Sequence, residues 1–155
     1  MITNRQDSRK PLDNDLCELT IVGEPASKAN SRRLVKIKKR YAFIKSKKAI
    51  NYSKDFNLQC PVYDTLYEED LAIALKIYYK SKRPDLDESL ILDLLQGKVY
   101  KNDRSIKLKY VEWGLDRQFP RILVVLGPVE RREEVISRLR ELVEEEKRLL
   151  VDLGN

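Results

Sequence analysis

The chain has 155 residues and no histidine. That absence excludes a Ser-His-Asp triad, a Cys-His pair, a histidine general base and every imidazole metal ligand. Cysteine is scarce as well. Cys17 and Cys60 lack the paired spacing of a zinc site and the density of a secreted disulfide scaffold, so they read as buried free thiols. No apolar run approaches the roughly 18 to 20 residues that a membrane helix needs, and the opening MITNRQDSRKPLDND is polar, without a secretory signal. A soluble, cytoplasmic protein with no membrane contact is expected. Any catalysis is left to carboxylates, lysines, tyrosines, hydroxyls or a bound metal.

Against these absences stands an uneven supply of positive charge. The net charge is +6, and residues 28–48, KANSRRLVKIKKRYAFIKSKK, carry ten Lys or Arg with no Asp or Glu. Such a segment suits a polyanion, though basic runs are also common as solvated surface. Lys28, Arg32, Arg33, Lys36, Lys38, Lys39 and Arg40 are the candidate phosphate contacts, with Tyr41 and Phe43 interleaved.

The hydrophobic pattern mixes strands and helices without a regular βαβ repeat. LCELTIVG at 16–23 predicts a strand ending in the Gly23-Glu24-Pro25 turn, and LVKIKKRYAFIK predicts a hairpin or irregular strand pair. Ala49, Ser53, Phe56 and Cys60 at helical spacing predict a helix capped by Ser46 and stopped by Pro61. The clearest strand is LAIALKIYY, where Leu71, Ile73, Leu75, Ile77 and Tyr79 share one face. Its other face, Ala72, Ala74, Lys76 and Tyr78, is mixed, as for a sheet with one well-buried side. A short helix over 88–96 should end at Gly97; IKLKYVEW and RILVVL read as two further strands, joined through Gly114 to Pro120 and stopped at Gly127-Pro128. A charged amphipathic helix over 129–152 closes the chain, its stripe packing on the domain or on a second copy. The expected fold class is α+β, a mixed β-sheet flanked by helices: a tail at 1–15, a folded domain at 16–128 and an added C-terminal amphipathic helix at 129–155.

RPDLDESLILDLLQGKVYKND, residues 83–103, sets Asp85 and Asp87 before the short helix and Asp103 after it. The six residues from Lys98 to Asp103 can span about 20 Å when extended, which permits Asp103 to return to the helix start. Two readings are open. Asp85 with Glu88 fits a loose capping box, and Asn102-Asp103-Arg104 an ordinary turn. Alternatively, Asp85, Asp87, Asp103 and Glu88 converge; carboxylates crowded together need a cation, and an all-oxygen set points to Mg²⁺ or Mn²⁺.

At these residues the chain resembles the RusA family of Holliday-junction resolvases, phage and prophage endodeoxyribonucleases. The matching elements are RPDLD, LLQG and VYKND, in order after GEPASKANSRRL and the basic hairpin, over about residues 19–126. The resemblance implies a homodimer that binds four-way DNA junctions and makes paired nicks in the cytoplasm of a bacterium or phage-infected host, with Mg²⁺ on Asp85, Asp87 and Asp103 as catalytic carboxylates. Two positions depart from the pattern: Glu88 stands where the family usually has Asn, and Ile91 where its helix carries a lysine. Lys82, Lys98 and Lys101 are candidates for the missing charge, and Lys82 and Lys101 are also candidate DNA contacts. A noncatalytic DNA- or RNA-binding module of the same fold and a pure assembly protein are the rival readings.

Overall fold

The computed structural model describes residues 15–27 and 32–154. Lys28 and most of the tail at 1–15 lie outside the described residues. The fold is α+β. A mixed four-stranded sheet has the order β1-β6-β4-β5, from β1 (Cys17–Val22), β4 (Leu71–Tyr79), β5 (Ile106–Leu115) and β6 (Arg121–Pro128). β1 and β4 run antiparallel to β6, while β4 and β5 are parallel. β2 (Arg32–Ile37) and β3 (Arg40–Lys45) form a separate antiparallel hairpin. Three helices complete the chain: α1 (Lys47–Gln59), α2 (Ser89–Leu95) and α3 (Arg132–Gly154).

β4 has the bounds its alternation predicts. Leu71, Ile73, Leu75, Ile77 and Tyr79 are fully buried against Tyr52 and Phe56 of α1 and Leu90, Ile91, Leu94 and Leu95 of α2. Burying one such side chain contributes about 1.5 to 3 kcal/mol, so this layer is the main core. The other face is mixed: Lys76 and Tyr78 are half-buried, while its first half is closed. Ala72 and Ala74 are fully buried with Leu123 and Val125, beneath Val135, Leu139 and Val143 of α3. Small side chains on the sheet let the helix approach closely.

Local chemistry sets the element ends. Ser46 Oγ accepts the Ala49 N–H at 3.2 Å, which caps α1. Gly97 follows α2 with φ +85°, a conformation that costs a glycine little. At the sheet edge, Gln59 of α1 satisfies the outward N–H and C=O of Val22 at 2.7 and 2.9 Å. An edge strand is thereby blunted against pairing with another chain.

α3 is tied to the sheet by charge as well as packing. Arg121 of β6 donates to Asp116 and to Glu146, each at 2.8 Å, and its guanidinium lies 4.0 Å from the centre of the Tyr78 ring. Glu146, which breaks the apolar stripe in sequence, is thus the partner of a half-buried arginine. Beyond it the helix carries exposed apolar side chains, Leu149, Leu150, Val151 and Leu153. No helix among the described residues is long and apolar enough to cross a membrane.

Candidate functional site

The β4–α2–β5 crossover places residues 80–88 at the C-terminal end of β4, next to the C-terminal half of β5. Loops leaving the carboxyl ends of parallel strands are where functional side chains commonly gather. This loop is held at four points. Glu24 Oε2 accepts the Lys80 N–H at 2.7 Å; Trp113 Nε1 donates to the Pro84 carbonyl at 3.1 Å. Tyr79 accepts the Asp87 N–H on its hydroxyl at 3.2 Å, and Lys109 of β5 meets Glu88 at 2.7 Å. Tyr79 and Trp113 stack, their ring centres 6.0 Å apart, so two of the anchors support each other.

Electrostatics favour this arrangement. Burial alone would raise the Glu24 carboxyl, but bonds from Lys48 and the Lys80 amide outweigh it and hold the group below the ordinary glutamate range. Glu24 therefore stays ionised at neutral pH. Burial of the Tyr79 ring raises its hydroxyl, keeping it protonated beside Asp87. Burial also lifts the thiols, Cys17 to about 11 and Cys60 to about 12, so neither offers a thiolate near neutral pH.

The carboxylates divide. Asp85 is exposed, with no hydrogen-bond or ion-pair partner among the described residues. Asp87 Oδ1 accepts both the N–H and the hydroxyl of Ser89, at 2.9 and 2.6 Å, and so shapes the turn into α2. The capping box expected from Asp85 and Glu88 is not formed; α2 starts without a side-chain cap from Glu88. Asp103 lies at the far end of α2, where its N–H donates to Gln96 Oε1 at 2.8 Å. α2 has seven residues, about 10 Å of helix, between the turn that holds Asp87 and the turn that opens at Asp103.

The stretch before Asp103 is pinned. Tyr100 is fully buried and donates its hydroxyl to the Leu92 carbonyl at 2.6 Å. The backbone of 98–101 also pairs with Tyr63 and Tyr67. Asp103 then opens a 3₁₀ turn in which Asn102 accepts the Arg104 N–H, the ordinary turn allowed by the sequence. Among the described residues, no group of three or more Asp, Glu or Cys side chains is placed to hold a metal. The donor chemistry still suits Mg²⁺, which retains waters and typically takes one or two carboxylates plus substrate phosphates. Asp85 and Asp87 fit that requirement.

The candidate lysines separate in the same way. Lys98 donates to the Leu94 carbonyl, Lys101 pairs with Glu68, and Lys82 is exposed on the clamped loop. Ile91 is fully buried, so its position could not present a charge to solvent. Lys109, which the motif does not include, is the lysine that reaches the acidic loop. The strand alternation of IKLKYVEW puts it on a definite face, but only the parallel register beside Ile73 brings it to Glu88.

The second element is the hairpin of β2 and β3. Its strands pair with each other. Lys36, Lys38, Lys39 and Arg40 are exposed around its tip, and Arg32 and Arg33 lie in its first strand, Arg32 opposite Lys45. No protein-family model matches the chain, and no curated protein matches it.

Proposed function

We propose that the chain is a Mg²⁺-dependent endodeoxyribonuclease that acts on branched DNA, resolving four-way junctions by paired phosphodiester hydrolysis. The observation that carries the reading is the 80–88 loop, clamped from four directions while Asp85 projects into solvent. A helix cap needs one side-chain bond; a loop fixed by four supports holds a site in position. Mg²⁺, or Mn²⁺ in its place, supplies a hydroxide and neutralises charge on the reacting phosphate when bound. Asp85 and Asp87 are the residues to hold it, with Glu88 joining once Lys109 turns toward the phosphate. Lys82 adds a phosphate contact on the same loop. The arm contributes salt-dependent affinity, since Lys and Arg on phosphates carry little base information. A homodimer sets two such sites against the symmetric arms of a junction, and the exposed leucines of α3 offer it apolar surface.

A second reading has its own support. Lys109 already neutralises Glu88, and Asp103 stays beyond α2. Both features suit a DNA-binding module without catalysis. The decisive experiment incubates the protein, Asp87→Asn and Asp103→Asn with labelled four-way junction and linear duplex in Mg²⁺, Mn²⁺ or chelator. Metal-dependent paired cuts in the junction, abolished by Asp87→Asn and much less affected by Asp103→Asn, are expected. Tight binding without cuts under any metal establishes the module instead.

A further inference from the structure

We propose that the tip of the β2–β3 arm is a wedge for duplex DNA: Ile37 enters a base step while Lys36, Lys38, Lys39 and Arg40 hold the flanking phosphates. The inference rests on the DNA-binding part of the proposed function and adds a mechanical role to it. Ile37 is 55% exposed at the last strand position before the Lys38-Lys39 turn, paired across the hairpin with Arg40. Ile37 shares its hairpin face with Val35 and Arg40 and stays exposed beside Lys36, Lys38 and Lys39. Its surroundings suit a polyanion whose interior is apolar, which describes stacked bases between phosphates.

The turn supports the same conclusion independently. Lys38 sits at φ 57°, the left-handed region where glycine or asparagine is usual in two-residue hairpin loops. A lysine there costs about 1 to 2 kcal/mol, and its neighbours Lys39 and Arg40 add like-charge repulsion. Local stability would favour glycine at this position. Strain retained at an exposed tip is a pointer to function.

The dimensions agree. Two strands about 4.8 Å apart form a ribbon that a groove of about 12 Å admits. Each strand has six residues, roughly 20 Å of reach. Unstacking a step costs a few kcal/mol, and proteins offset it with an apolar wedge and added phosphate contacts, kinking the duplex. At a junction the stack is already interrupted, so the cost is smallest there. A branched substrate is then preferred for a mechanical reason, separate from the acidic loop.

The test uses the full chain in chelator, so that nothing is cut. Four-way junctions and linear duplexes carry 2-aminopurine at successive steps, with a matched RNA duplex as control. The wild type should raise the fluorescence of a step near the branch point, and RNA should show no such rise. Ile37→Ser should lose the rise while keeping its salt slope and thermal midpoint. Lys38→Ser/Lys39→Ser should lower the slope of log K against log salt by about 2, close to 0.9 per lost phosphate contact. A full fluorescence rise in Ile37→Ser overturns the wedge and leaves DNA binding intact. No binding of any DNA by the wild type overturns the proposed function and the wedge together. An equal rise on RNA overturns the assignment to DNA.

Discussion

Arg121→Met tests how the C-terminal helix is held. The guanidinium is 12% exposed and its two carboxylate partners, Asp116 and Glu146, are 23% and 30% exposed. Removing one member of a fully buried pair costs about 3 to 5 kcal/mol, because the partner is stranded. Solvent at these carboxylates lowers that figure. The contact of the guanidinium with the Tyr78 ring, worth about 0.5 to 2 kcal/mol, is lost as well. Methionine keeps the apolar stem, so the packing term is small. A net loss of about 3 kcal/mol is expected.

For a chain of this size each kcal/mol shifts the midpoint by about 2 to 4 °C, giving a fall of roughly 6 to 12 °C. Thermal melting followed by far-UV circular dichroism measures the midpoint, and urea unfolding the free energy. A cycle with Glu146→Gln should return a coupling of at least about 1 kcal/mol. The pH dependence provides an internal check. Burial works to raise the Asp116 carboxyl, but bonds from the Phe119 amide, Arg121 and the Gln118 amide outweigh it and hold the group low. A carboxyl lowered in the folded state stabilises above its unfolded value, near pH 4, and that contribution disappears as pH falls through the folded value. The wild type should lose more stability on acidification than Arg121→Met. A loss below about 1 kcal/mol, or strict additivity with Glu146→Gln, refutes the clasp.

Other substitutions probe single links of the fold. Leu139→Ala, in the fully buried part of α3, should cost about 2 to 4 kcal/mol, whereas Leu153→Ser, 83% exposed, should stay within about 0.5 kcal/mol by urea unfolding. Gly97→Ala meets no atom within 4 Å, so only the φ of +85° opposes it, and a loss of about 1 kcal/mol is expected in the same assay. Glu24→Gln should weaken hydrogen-exchange protection of the Lys80 amide. Because the Glu24 carboxyl is lowered in the folded state, the variant should also lose less stability than the wild type as pH falls below the ordinary glutamate value of about 4.3.

Most of the fold was legible where one residue pattern excludes alternatives. Strict alternation gives β4 its bounds, Ser46 with Ala49 gives α1 its start, and Gly97 gives α2 its end. The second core was not legible, because alanine suits either a buried or a half-solvated face. Ala72 and Ala74 are buried only because Val135, Leu139 and Val143, far along the chain, arrive above them. The candidate site divides on the same ground. The order of its aspartates is local and was readable, but its clamps come from Glu24, Lys109 and Trp113, which sheet topology alone brings to the loop. Tyr79 was read only as a core residue; its ring is buried, yet its hydroxyl accepts from Asp87. Chain length allowed Asp103 to return, but the anchor of Tyr100 on Leu92 that fixes the stretch before it was not readable.

This division changes what the aspartate motif means. An aspartate kept for capping spends its oxygens on nearby amides, as Asp87 does with Ser89. Asp85, two positions earlier, has no such partner among the described residues and points to no structural duty, although Pro84 beside it is anchored by Trp113. Fixing the backbone around an exposed carboxylate costs conformational entropy and returns no contact of its own. Under the proposed function, a cation reaching Glu88 has to compete with the Lys109 ammonium on the same loop, which favours a divalent ion over a monovalent one.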